Sequence, residues 1–287
     1  MIKLSENPQD ESGPRRTPPL LSTFIETRQA HRFMKVCQGS LENRLIALVI
    51  GEAGVGKTST ARRFACWEEH EKRLSGEVTG TGLGGESKIA FFTPDPLMSP
   101  KRLEQELLHL HAQMKRLSSM TPPVMREPGV PRGGYRVTAL EWGLLIIDEA
   151  DRVKPMGLEV LRDFYDRNQM GLVLIGMPGL EKRLARYPQF FSRVGFVHEF
   201  CTPSAEELRE IVVQQVGLMD PQREKDLAEA LDEDALAAII RMTGGNFRFM
   251  YQLLLQIERI LRINRLSKVT KAVVEAARAS LLFGREG

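Results

Sequence analysis

The strongest constraint on this 287-residue chain is an eight-residue run, Gly51, Glu52, Ala53, Gly54, Val55, Gly56, Lys57 and Thr58. The run lies between a continuous apolar segment at 44–50 and a segment at 58–71 with helical patterning. It satisfies G-x-x-x-x-G-K-[ST] in the strand, loop and helix order that gives the pattern its meaning. The glycines let successive backbone N–H groups curl around an anion, and the following helix adds the positive end of its dipole. Lys57 then reaches the β and γ phosphates of a nucleotide, and Thr58 offers a hydroxyl to Mg²⁺. Ser59 completes the nucleotide-contacting set. A turn that merely joined strand to helix would have no need of Lys-Thr at the helix start.

A second element agrees with the first. Residues 144–147 are Leu-Leu-Ile-Ile and run into Asp148 and Glu149. A buried parallel strand delivers Asp148 at its carboxyl end beside the phosphate loop, where it holds the Mg²⁺ shell. Glu149 is then placed to polarise a water for in-line attack on the γ-phosphate. Two acids after a strand also suit the start of a helix. Their pairing with 51–58, about ninety residues upstream, favours the catalytic reading. Together the two elements predict ATP, Mg²⁺ and hydrolysis.

Composition narrows the remaining classes. With 42% hydrophobic against 27% charged residues, the chain has apolar material for a core and does not resemble a disordered one. The apolar runs fall far short of the ~20 residues that cross a bilayer. The N-terminus lacks a basic start followed by an apolar stretch, so the expectation is a cytoplasmic protein with no membrane association. Cys37, Cys66 and Cys201 form no C-x-x-C pair, and three buried core thiols in a reducing compartment are expected. The net charge is only +3, although 28 of the 40 basic residues are Arg. Arg suits planar anion recognition, and high genomic GC content produces the same bias.

Along the chain, the Pro-rich and polar residues 1–20 read as a flexible tail, 21–201 as an α/β nucleotide-binding core, and 202–287 as a helical lid. Helices are predicted at 22–37, with Ser22 as cap, and at 58–71, 100–117 and 156–168; strands are predicted at 44–50, 88–93, 144–147 and 172–175. Residues 76–87 and 118–134 read as loops. Beyond 201 the pattern is helix alone, at 205–217 behind a capping box from Ser204 to Glu207, then 222–242, 246–264 and 268–282. This half is electrically split. Residues 202–240 hold ten acids and three bases, and 241–287 hold nine bases and three acids.

From Asp148, Glu149, Ala150, Asp151 and Arg152 to Lys154 and Pro155 the sequence resembles AAA+ ATPases of the TnsC, TniB and MuB type, regulators that help a transposase choose target DNA. The resemblance extends from about residue 22 to the C-terminus. It implies an AAA+ P-loop αβα sandwich with a parallel sheet, an all-helical lid, and ATP held between adjacent subunits. Arg248, in Gly245-Asn-Phe-Arg248, is similar to the sensor-2 arginine. Arg193 stands where such proteins keep an arginine finger, with Arg183 and Arg186 as rivals. After 172–176 a polar sensor-1 residue is common, and Met177 stands here instead, which implies slow, switch-like hydrolysis.

The same resemblance implies a homo-oligomer, ring or helical filament, on double-stranded DNA, with a transposase and a target-selection protein as partners. Lys115, Arg116, Arg126, Arg132 and Arg136 are the candidate DNA contacts, and a solvated loop is the plain alternative. The basic residues of 259–271 offer a further surface for DNA, a transposase or the next subunit. Two other readings stay open. Gly176 to Leu180 also resembles secretion-type ATPases and Gly245 to Arg248 replication initiators; Met177 would equally suit an ATP-bound scaffold that does not hydrolyse.

Overall fold

The computed structural model describes residues 24–75, 89–120, 143–219 and 231–283. The chain divides into two compact units. One comprises Ala30–Glu52 and Lys57–Phe200; the other gathers residues up to Gln29, the short segment Ala53–Gly56, and Cys201 onward.

The first unit is built on five parallel strands, β1 (Ile46–Ile50), β2 (Ile89–Phe92), β3 (Leu144–Ile147), β4 (Gly171–Gly176) and β5 (Val194–Glu199). Their order across the sheet is β2-β3-β4-β1-β5. Every residue of β3 and β4 is buried. This follows from their sequences, since a strand covered on both faces reads as an unbroken apolar run rather than an alternation. The register sets Ile50 against Gly176 and Ile147 against Leu174, so β1 and β4 end level and β3 ends two residues earlier, all at the same edge of the sheet. Loops that follow these ends therefore converge on one edge of the sheet.

Strand β5 was not legible as a strand. It lies at the edge of the order and shows an alternating half-buried and exposed pattern. Gly195 interrupts the apolar signal, and the exposed Val197 carries part of what remains. Its inward positions meet helix α1 (Arg28–Asn43). A Cβ on Gly39 would stand 3.1 Å from Phe196 Cζ, so glycine there sets how closely helix and strand approach.

Several predicted boundaries move. Helix α1 begins at Arg28 and runs to Asn43, later than the predicted 22–37; Ser22 lies outside the described residues. The single helix expected at 58–71 is two, α2 (Lys57–Phe64) and α3 (Trp67–Leu74). Cys66 breaks them, with a left-handed φ of 49°. Of the three thiols expected to be buried, Cys37 is, whereas Cys66 and Cys201 are exposed. Helix α4 (Pro100–Met120) continues three residues into the predicted loop, the rest of which lies outside the described residues. Its apolar face, Leu103, Leu107, Leu110 and Met114, is buried as the spacing requires. Ser99 caps it by accepting the Arg102 N–H at 3.2 Å.

The core unit is completed by a 3₁₀ turn at Ala150–Arg152 and by α5 (Pro155–Asn168), α6 (Leu180–Leu184) and α7 (Pro188–Phe191).

The second unit holds α8 (Ala205–Met219), α9 (Glu233–Thr243), α10 (Phe247–Asn264) and α11 (Lys271–Phe283). Ile211, Ile239, Leu253, Ile257 and Val274 are central to its apolar core. Ser204 accepts the Glu207 N–H at 3.2 Å, half of the predicted capping box. Glu207 does not close the other half, because its carboxylate accepts the Arg28 N–H at 2.7 Å. Of the helix predicted over 222–242, residues 222–230 lie outside the described residues; Leu231 and Asp232 are not helical, and α9 starts at Glu233. Upstream of it Leu231 forms a parallel bridge with Val269, and Asp232 is extended with ψ 145°. The Asp232 carboxylate also pairs with Lys268 at 2.5 Å.

Candidate functional site

The loop from Gly51 to Thr58 leaves the end of β1 and enters α2. Gly54 and Gly56 have φ of 81° and 102°, a region that side chains with a Cβ rarely adopt. Gly54 also has no space for one, since a Cβ would fall 2.3 Å from Asn246 Oδ1. Within the helical unit, Phe247 N–H donates to the Gly54 carbonyl at 2.8 Å and Asn246 Nδ2 donates to the Ala53 carbonyl at 3.3 Å. The start of α10 is thereby fastened to 53–56. Arg248 is the next residue of that helix turn, and its exposed side chain has no ion pair or hydrogen bond among the described residues.

At the other end of the loop, Lys57 Nζ donates to the carbonyls of Gly51 at 2.6 Å and Glu52 at 2.7 Å. Burial lowers the Lys57 pKa, and Asp148, Asp151 and Glu52 act in the opposite direction. The ammonium is half-buried and surrounded by oxygen atoms, a position from which it can exchange loop carbonyls for phosphate oxygens. Ser59 is exposed on the first turn of α2, and Val55 is buried.

Thr58 Oγ1 donates to Asp148 Oδ2 at 2.6 Å. Asp148 is 3% exposed, and its other oxygen accepts the Glu149 N–H at 3.0 Å. A hydroxyl and a carboxylate side by side form a hard-oxygen pair, the donor chemistry that Mg²⁺ prefers. Among the described residues no cluster of three His, Cys, Asp or Glu could hold a metal. That arrangement fits Mg²⁺ held by one or two protein oxygens, substrate phosphates and water, and does not form a dedicated cage.

Glu149 follows with φ 50° and ψ 43°. Its carboxylate pairs with Arg152, whose Nη1 donates to the Pro94 carbonyl at 3.0 Å. The turn between them is anchored twice. Asp151 Oδ2 accepts the Met177 N–H at 2.8 Å, and Arg183 donates to the carbonyls of Ala150 and Asp151, each at 2.8 Å. The sequence marks Asp151 and Arg152 only as part of the family resemblance and Arg183 only as a rival finger, and gives none of the three an anchoring role. Their short range to the Asp148-Glu149 pair was the available signal, but which atoms they touch depends on how β2 and β4 end.

The three candidate finger arginines differ sharply. Arg193 forms a two-pronged pair with Asp166, Nε to Oδ1 at 2.8 Å and Nη2 to Oδ2 at 2.9 Å. Arg183 is committed to the backbone as above. Arg186 is exposed and its side chain has no such partner among the described residues. Of the candidate DNA contacts, Lys115 and Arg116 are exposed on α4, whereas Arg126, Arg132 and Arg136 lie outside the described residues. No helix among the described residues is long and apolar enough to cross a membrane.

A five-strand parallel sheet in this order, a glycine loop ending in Lys-Thr, and an acidic strand end beside that threonine define a P-loop ATPase of the AAA+ kind. The chain belongs to the AAA domain family, which it matches over residues 40–184. It is 34% identical over 269 residues to a potential ATP-binding protein of Staphylococcus aureus, covering 91% of this chain and 97% of that one. It is 25% identical over 235 residues to the Mu-like prophage FluMu DNA transposition protein B of Haemophilus influenzae, covering 80% and 70%. Among solved structures, the Thermotoga maritima RuvB Holliday junction branch migration motor has TM-score 0.54 at 16% identity, covering 90% of this chain and 70% of that one. The Aeropyrum pernix ORC1 protein in complex with DNA has TM-score 0.56 at 18% identity, covering 92% and 68%. At these identities the two structures establish the fold, as expected from the sequence, and nothing about partners.

Proposed function

We propose that this AAA+ ATPase is an ATP-dependent, DNA-binding regulator of transposition. On this reading it oligomerises with ATP on double-stranded target DNA, as a ring or helical filament, recruits or activates a transposase, and leaves after hydrolysis. A target-selection protein is a further partner. The likeness to transposition protein B over 80% of the chain carries the assignment. The Thr58–Asp148 pair supports the ATP chemistry on which it depends.

In the proposed reaction the N–H groups of 51–58 and the Lys57 ammonium hold the β and γ phosphates. Thr58 and Asp148 would hold Mg²⁺, which when bound neutralises charge on the phosphate oxygens. Glu149 accepts a proton from the attacking water. Arg248 contacts the γ-phosphate within its own subunit, and an arginine from the neighbour completes the site. Arg193 has to leave Asp166 to do so, whereas Arg186 has no pair to break. Lys115 and Arg116 contribute phosphate contacts that repetition along DNA multiplies.

A second reading, an ATP-bound scaffold that turns over negligibly, is favoured by Met177. It follows β4 directly and is 40% exposed, where a polar side chain would assist hydrolysis. Electron microscopy with duplex DNA tests the main reading: ATP or a non-hydrolysable analogue should give DNA-dependent rings or filaments, and their absence with both overturns it. Phosphate release at saturating DNA no faster than that of Glu149→Gln supports the scaffold instead.

A further inference from the structure

We propose that Asn246 is a positioning residue for the phosphates of the nucleotide: by holding the Ala53 carbonyl, its side chain aims the Gly54 N–H. The proposal deepens the nucleotide-binding reading of 51–58 and rests on it. In a planar trans peptide the carbonyl and the N–H point in opposite directions. A carbonyl held by one neighbour therefore fixes where the N–H of the same peptide unit points. Asn246 Nδ2 holds the Ala53 carbonyl at 3.3 Å, and the Phe247 N–H holds the Gly54 carbonyl at 2.8 Å. Two successive N–H groups, those of Gly54 and Val55, are thereby turned away from the start of α10. Successive N–H groups set in this way form an anion-binding concavity.

The residue type is specific to this double task. Asn246 is the N-cap of α10, and its Oδ1 accepts the Phe249 N–H at 3.0 Å. Serine or aspartate would cap a helix equally well. Only asparagine among these carries an acceptor for the helix and an amide N–H for the loop in one rigid group. Its orientation is fixed by its two partners, since one offers an N–H and the other a carbonyl.

The approach is built from both sides. Gly244 and Gly245, with φ of 54° and 82°, turn the chain into the cap. A Cβ on Gly245 would stand 3.0 Å from the Thr202 Cβ, so glycine lets this turn settle against Thr202. On the loop, Gly54 leaves the space that Asn246 fills, and the Phe247 ring lies 3.4 Å from where a Gly56 Cβ would be. The middle of the phosphate loop, Ala53–Gly56, belongs to the helical unit for this reason.

The test is displacement of a fluorescent ATP analogue from the full chain by ATP and by tripolyphosphate, which carries phosphates without a base. Asn246→Ser and Asn246→Asp both keep an oxygen for the Phe249 N–H, so thermal unfolding should stay close to wild type. Serine is too short to reach Ala53 as well, and aspartate sets a carboxylate oxygen against that carbonyl. Loss of one neutral hydrogen bond should weaken ATP roughly two- to tenfold in Asn246→Ser. The loss should be larger in Asn246→Asp, which adds negative charge beside the loop. Tripolyphosphate should weaken by the same factor as ATP, a correspondence that a role in helix capping alone does not produce. Unchanged ATP affinity in both variants overturns the proposal, and so does a loss for ATP that tripolyphosphate does not share. Unfolding of both variants assigns Asn246 to the fold alone and overturns it as well. Failure of the wild type to bind the analogue or ATP overturns the nucleotide reading of 51–58, and the positioning role with it.

Discussion

Thr58 and Asp148, ninety positions apart in sequence, share one hydrogen bond of 2.6 Å at the carboxyl edge of the sheet. The bond brings a hydroxyl from the first turn of α2 against the buried acid at the end of β3. Asp148→Asn keeps one acceptor oxygen, for the Glu149 N–H, and turns the other position into an N–H donor that the Thr58 hydroxyl can accept by rotating, while it removes the charge. The fold should therefore survive, with thermal unfolding close to wild type. Titrating Mg²⁺ against ATP hydrolysis should show a large loss of metal affinity, and an unchanged Mg²⁺ midpoint would remove Asp148 from the metal site.

Lys57→Ala removes the ammonium that now rests on the Gly51 and Glu52 carbonyls. A hydrogen bond to a charged group contributes ~1.5–3 kcal/mol, so ATP affinity should fall roughly 10- to 150-fold. DNA binding that depends on ATP should fall with it. Undiminished DNA affinity in this variant, measured with ATP present, would separate DNA binding from the nucleotide.

Gly54→Ala tests the approach of Asn246 to the loop. A Cβ at 2.3 Å from Asn246 Oδ1 cannot be accommodated, and the φ of 81° is itself unfavourable for alanine by about 1–2 kcal/mol. Chemical denaturation should show a loss of at least that size. Asn246→Ala combined with Gly54→Ala should recover the part due to collision but not the backbone part. Equal stability of wild type and Gly54→Ala would mean that the loop adopts a different path.

Arg193→Ala should reduce hydrolysis in the oligomer while leaving ATP binding by the monomer intact. It also removes the pair with Asp166, a partly exposed contact worth about 0.2–1 kcal/mol. Full turnover in Arg193→Ala together with a loss in Arg186→Ala would assign the intersubunit contact to Arg186.

His70 predicts an acid dependence of stability. It is 3% exposed, its Nδ1 has no partner among the described residues, and burial lowers its pKa from the ordinary value. The folded state therefore binds a proton less readily than the unfolded chain. Stability from neutral His70 is full above the unfolded value near 6.5 and falls as pH drops below it, with a limiting slope of about 1.4 kcal/mol per pH unit. Urea unfolding of wild type and His70→Phe at pH 7.5 and 5.5 should show the smaller acid loss in the variant; identical losses would place the titration elsewhere.

Sequence alone was sufficient where chemistry or burial leaves a local mark. The loop 51–58 was legible because phosphate cradling needs glycine, lysine and threonine at set spacing, and β3 and β4 because two-sided burial makes them apolar throughout. The edge strand β5 was not, because half of its residues face outward and mimic a loop. The breaks at Cys66 and at Leu231–Asp232 escaped for a related reason: a left-handed residue and a bridge between Leu231 and Val269 are settled by neighbours rather than by periodicity. Tertiary structure decided the partners of each charge. Sequence places Arg193 after β4, yet only folding sets it against Asp166, pins Arg183 to the turn and joins Arg152 to both Glu149 and Pro94. Residue type states what a guanidinium can bind, and the three-dimensional path of the chain determines which acceptor lies within its reach.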